Sequence, residues 1–156
     1  MNKQEVFNTV ARHLFIQGKW AAEFNQEGYD QACKESAFYG FGIPQESDYM
    51  TCRYRTDDGL KCAIGSLIPD EVYNPAMDNV GGVYGLAQEF PQVMEQLFDI
   101  TDDNDINLGF LGALQSVHDS QHNWKSTENM RKDLWNVAAR YNVDGSIVNT
   151  LSFNDR

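Results

Sequence analysis

Apolar residues recur at helical spacing towards both ends of the chain and give way to alternation in the middle. Over residues 3–17, Val6, Phe7, Val10, Leu14 and Phe15 form one stripe, with Asn2 placed to cap its start and Gly18 to stop it. That spacing predicts an amphipathic first helix. From Lys19 to Met50 the pattern weakens: Trp20, Ala21 and Ala22 can prolong helicity, Tyr29 to Phe38 fits a short helix, and Gly40 to Pro44 is punctuation.

Residues 51–66 alternate instead. Thr51 to Thr56 and Leu60 to Ile64 flank Asp57-Asp58-Gly59, in which Gly59 suits the left-handed position of a three-residue hairpin loop. In that register Thr56 faces Leu60, Tyr54 faces Cys62 and Cys52 faces Ile64, while Arg53, Arg55 and Lys61 share the opposite face. Two short helices are expected around Leu86–Phe90 and from Pro91 onward. A longer one over 105–119 carries Ile106, Phe110, Leu111, Leu114 and Val117, and Asp102 to Asp105 favour its start. Ser126 or Thr127 caps a last helix through Tyr141, and Ile147 to Phe153 can add a short strand. The expected fold is α+β: one compact domain over 1–156, with about five helices around a central hairpin at 51–66.

Composition narrows the function classes. The chain has 156 residues, 42% hydrophobic and 22% charged, in keeping with one self-sufficient core. With 12 basic and 23 acidic residues it carries a formal charge of −11, a field that repels phosphate backbones and anionic membranes. General nucleic-acid binding and membrane association are therefore disfavoured. Cys33, Cys52 and Cys62 are too few for a disulfide framework, and the first 17 residues, broken by Glu5, Asn8, Arg12 and His13, lack a signal-peptide core. A cytoplasmic location is the expectation, and a homo-oligomer stays open.

Several groups are candidates for chemistry. Arg53, Arg55 and Lys61 concentrate positive charge within nine positions of an acidic chain, enough to grip a phosphate or carboxylate, or else to pair with the chain's own carboxylates. Arg55 and Lys61, opposite each other in the hairpin, require an anion between them: Asp70, Asp119 or a ligand. Cys52 or Cys62 with His118 and Asp119 offers a thiol, a base and an orienting carboxylate, against the alternative that both cysteines are small buried hydrophobes. His118 and His122 stand four apart, as a zinc pair on one helix would, but no third ligand is evident nearby. The acidic run Asp99, Asp102, Asp103, Asp105 fails the register of a calcium loop, and Gly81, Gly82 and Gly85 lack the Lys-Ser or Lys-Thr of a phosphate loop. No cofactor is called for.

The blocks Cys52-Arg-Tyr-Arg, Asp58-Gly-Leu-Lys-Cys-Ala-Ile-Gly and Leu67-Ile-Pro-Asp-Glu-Val-Tyr resemble a family of small uncharacterised proteins of tailed bacteriophages and prophages. Leu114-Gln115-x-x-His118-Asp119 followed by Trp124, and Val10-Ala11-Arg12-His13-Leu14 in the first helix, fit the same pattern. About half of the chain is covered, and the 19–50 stretch looks longer than the corresponding family region. The resemblance implies a phage-type accessory protein acting in the host cytosol and supplies no catalytic residue. Three readings follow. The first is a non-enzymatic binder that antagonises host antiviral defence by sequestering a small anionic, nucleotide-type ligand through Arg53, Arg55, Lys61, His118 and Asp119. The others are an acidic protein-binding inhibitor of a host defence or DNA-acting enzyme, and a Cys/His-dependent hydrolase.

Overall fold

In a computed structural model of the chain, which describes residues 1–98 and 104–154, the first apolar stripe forms α1 (Lys3–Gln17). The Asn2 side chain accepts from the Glu5 N–H and the Glu5 carboxylate accepts from the Asn2 N–H. Gly18, at φ 62°, ends the helix in the left-handed region. Its apolar face, from Val6 to Phe15, is buried against α5 (Asn104–Asp119) and a 3₁₀ turn at Gly65–Leu67. Helix α5 packs in turn on α3 (Val83–Glu89) and on α6 (Thr127–Tyr141), which Ser126 caps. Pro91 opens α4 (Pro91–Leu97). Six α-helices form among the described residues, where about five were expected, in one mostly helical domain. Asp102 and Asp103, whose charges favour the start of α5 on the sequence reading, lie outside the described residues, as does Asp99 of the acidic run.

The sheet differs from the expected hairpin. Two three-residue strands, β1 (Ala22–Phe24) and β2 (Met50–Cys52), pair antiparallel with Ala22 opposite Cys52 and Phe24 opposite Met50. The Asp57–Gly59 loop does form, with Gly59 at φ 87° and the Thr56 N–H donating to the Leu60 carbonyl. Beyond it the hairpin amounts to a single bridge, Arg55 to Lys61, and the pairings of Tyr54 with Cys62 and of Cys52 with Ile64 do not continue it as a ladder. The outward peptide groups of Lys61 are held by α1: Gln17 donates to its carbonyl and accepts from its N–H at 2.9 Å each, and His13 Nε2 lies 2.9 Å from the same carbonyl. One cause of the short ladder is visible. Cys62, Ala63 and Ile64 are all buried, and alternation along a strand would have turned some of them outward; a turn tucks all three inside. That turn is tight, since a Cβ on Gly65 would stand 2.0 Å from the Tyr54 carbonyl oxygen.

The expected strand at Ile147–Phe153 is likewise replaced by a 3₁₀ turn, Ser146–Thr150. Arg131 of α6 explains it. Its Nε donates to the carbonyls of Val148 and Leu151, and its Nη2 to Leu151 at 2.6 Å, so these backbone acceptors are collected by one side chain rather than by a neighbouring strand. Among the described residues no helix is long and apolar enough to cross a membrane.

Candidate functional site

The three basic residues of the hairpin part company. Arg55 Nη1 lies 2.7 Å from Asp70 Oδ1, and Lys61 Nζ lies 3.4 Å from the same oxygen, so Asp70 is the anion that the facing pair requires. Arg55 also donates to the Ile68 carbonyl at 2.8 Å and lays its guanidinium 4.4 Å over the Tyr73 ring. Its side chain is 16% exposed and that of Asp70 79%, so Arg55 is anchored while the carboxylate looks outward. Lys61 and Arg55 hold the Asp70 carboxyl below its ordinary range. Arg53 turns elsewhere: its Nε is 3.4 Å from Glu23 Oε2, yet that buried N–H makes no hydrogen bond.

Arg53 lines a cleft of about 190 Å³ together with Thr51, Cys52, Tyr54, Cys62, Asp78, Gly81, Gly82, Gln115 and Asp119. Residues from two blocks some 60 positions apart in sequence thus meet around one opening. The link is built by side-chain hydrogen bonds. Gln115 accepts from the Ile64 N–H at 3.2 Å and donates to Asp119 Oδ1 at 2.8 Å, tying α5 to the turn after the hairpin loop. His118, fully buried, donates from Nδ1 to Asp119 Oδ1 at 2.9 Å and accepts at Nε2 from the Ala21 N–H at 3.1 Å. The Trp124 indole N–H donates to the His118 carbonyl at 2.7 Å. Asp78 closes the other side, accepting from the Tyr54 N–H at 2.6 Å and from the Tyr73 hydroxyl.

These bonds decide what the reactive groups can do. Ala21 presents a fixed donor, so Nε2 of His118 must carry the lone pair and Nδ1 the proton. The ring therefore has no free lone pair for a thiol proton or a metal ion. Cys52, His118 and Asp119 place ligand-type atoms within 4.8 Å of one another, but metal binding through Nδ1 would set a ring N–H against the Ala21 N–H, so the trio does not suit a metal. The order is also wrong for a catalytic triad, because the carboxylate stands between thiol and imidazole. Burial first, then the charge of Asp119 and the hydrogen bond to it, push the Cys52 thiol up to about 12; the Trp20 N–H pulls weakly the other way. Burial likewise raises Cys62. For Asp119, burial alone would raise the carboxyl, but hydrogen bonds from His118, Cys52 and Gln115 outweigh it and keep the group ionised.

Of the residues singled out from sequence, Arg53 and Asp119 line the cleft and His118 supports Asp119 from behind, whereas Arg55 and Lys61 gather on Asp70. His122 is exposed in a 3₁₀ turn, Gln121–Lys125, because α5 ends at Asp119, so the two histidines do not share a helix face. Cys62 is buried and Cys33 and Cys52 are half-buried, all three unbridged. Sequence reasoning passed over Gln115 and Asp78. Gln115 sits inside the Leu114-Gln115-x-x-His118-Asp119 block, which was a usable signal; Asp78 reaches Tyr54 across 24 positions from a loop with no marking pattern. Compared with models of protein families, with curated proteins and with solved structures, the chain matches none.

Proposed function

We propose that this is a non-enzymatic binding protein whose cleft between β2, the hairpin turn and α5 receives a small nucleotide-type ligand. In the phage setting implied by its sequence blocks, such a binder antagonises host defence by sequestering a signal. The observation that carries the reading is the pairing, at one cleft, of a buried Arg53 N–H that lacks a hydrogen-bond partner with an ionised Asp119 held by three donors. An anionic group on the ligand satisfies the arginine, and a donor edge such as an amino-bearing base meets the carboxylate. Non-enzymatic action fits a thiol kept protonated and an imidazole whose two nitrogens are both committed. Arg55 Nε is likewise buried without a hydrogen-bond partner, but the Nη atoms of Arg55 are taken up by Asp70 at 2.7 Å and the Ile68 carbonyl at 2.8 Å, whereas the Glu23 carboxylate stands 3.4 Å from Arg53 Nε without a hydrogen bond, which favours the cleft over the outer basic face as the ligand's place.

Native mass spectrometry of protein purified from infected cells, followed by thermal-shift titration with mono-, di- and cyclic nucleotides, tests this. A retained or stabilising nucleotide is expected, with affinity falling about thirtyfold in Arg53→Ala, the usual cost of truncating a charged contact. Asp119→Asn should weaken binding as well, and Lys61→Ala should leave it unchanged. Nucleotide binding that survives both cleft substitutions, or no nucleotide bound at millimolar concentration, sinks the reading.

A further inference from the structure

Helix α2 (Gln26–Tyr39) buries none of its residues, although an isolated helix of 14 residues is marginal in water. Its base is held by Tyr29, whose ring contacts Phe24 at 5.4 Å and Tyr49 at 5.7 Å. Its far end and the residues just beyond it carry four large apolar side chains that do not reach the core: Phe38 is 82% exposed, Tyr39 66%, Phe41 71% and Ile43 86%. The three aromatic side chains form one group. Gly40, at φ 75°, closes the helix, and the Gly40 and Phe41 N–H groups both donate to the Ser36 carbonyl, which folds Phe41 back beside Tyr39. The rings of Phe38 and Tyr39 lie 4.9 Å apart and those of Tyr39 and Phe41 5.9 Å. A contiguous exposed aromatic patch of this kind marks an interaction site, and fixed aromatic anchors are what carry most interface energy.

We propose that this patch docks a partner protein presenting an amphipathic helix whose apolar face is flanked by lysine and arginine. Charge selects that occupant. Between residues 26 and 48 five exposed carboxylates, Glu27, Asp30, Glu35, Glu46 and Asp48, face a single basic residue, Lys34. Among the described residues none of the five is in an ion pair, so all are available to a basic flank. A second copy of the chain would bring two such acidic arms together at a net charge of −11 each, and an anionic membrane is repelled by the same field. The inference is independent of the cleft, and either can fail without the other.

The test uses the full chain with two helical probe peptides, one amphipathic leucine–lysine and one leucine–glutamate, plus a photo-crosslinker in place of Phe41. Binding of the lysine peptide is expected, weakened by salt, captured at position 41, and lowered at least about tenfold in Phe38→Ser/Ile43→Ser. Circular dichroism and melting temperature of that variant should match the parent. The proposal is overturned if the lysine peptide does not bind, if the double variant binds it equally, or if the glutamate peptide binds as well. It is also overturned by a homodimer crosslinked through position 41, or by phosphatidylcholine vesicle binding that the double variant loses.

Discussion

Helices α1 and α2 are near twins in outline. They have 15 and 14 residues, each is capped by an asparagine (Asn2, Asn25), and each ends on a left-handed glycine (Gly18, Gly40). Yet α1 buries Val6, Phe7, Val10, Ala11, Leu14 and Phe15, and α2 buries nothing. Caps satisfy the end groups of a helix and fix its limits; they say nothing about what the helix is for. Burial is decided by the face. The heavy branched and aromatic side chains of α1 recur every three or four positions, whereas the inward positions of α2 are Tyr29, Ala32, Cys33 and Ser36, which leave little apolar surface to remove from water.

The contrast implies a steep gradient of mutational sensitivity. At its top stands Leu114 of α5, fully buried in the core; Leu114→Ala should cost about 4 kcal/mol in denaturant unfolding, as cavity-forming core substitutions do. His118→Ala should follow at about 2 to 3 kcal/mol, because it leaves the buried Ala21 N–H without an acceptor. A cost near zero would mean that the histidine does not join the residue leading into β1 to α5. Arg55→Ala should lose about 1 to 2 kcal/mol through the Ile68 hydrogen bond and the Tyr73 contact, with ligand binding at the cleft unaffected.

The same substitution has a pH signature. Lys61 and Arg55 depress the Asp70 carboxyl below 3.8, so between the folded and ordinary values the unfolded chain binds more protons. The resulting stabilisation is complete above pH 3.8 and is lost as pH falls through the folded value. Acid titration of the unfolding midpoint should be shallower in Arg55→Ala and Lys61→Ala than in the parent. The smallest global effect belongs to the arm. Ala37→Gly should loosen α2 by about 1 kcal/mol, visible as faster amide exchange confined to that helix, with no change in global unfolding. A lowered global midpoint would show that α2 folds with the core after all.

The same physics explains which parts were legible in the sequence. Helices α1, α5 and α6 were readable because each lays a full apolar stripe on the core, and Gly59 was readable because the loop geometry demands its φ. β1 left no trace, since three residues are too few for a period to emerge. The strand expected at Ile147–Phe153 rested on local β-branched residues and was overridden by one distant side chain, Arg131, which no pattern in that segment can reveal. The site divided the same way. Arg53, His118 and Asp119 were named because their chemistry is conspicuous; that Asp119 stands between Cys52 and His118, with Ala21 fixing the histidine tautomer, depends on contacts across 67 and 97 positions, counted from Cys52 to Asp119 and from Ala21 to His118.

Phe24 and Met50 are cross-strand partners, so everything between them leaves and re-enters the domain through two neighbouring residues. Residues 25–49 are in that sense a cassette with its terminals side by side. A two-residue Asn-Gly turn has the span to close the gap in their place, and a longer segment would add little closure entropy, since that cost rises only with the logarithm of length. The fold can gain, lose or exchange its projecting arm by insertion and deletion while α1, α5 and the cleft stay as they are. A chain built this way can vary the exposed surface of the arm through recombination without substituting its core.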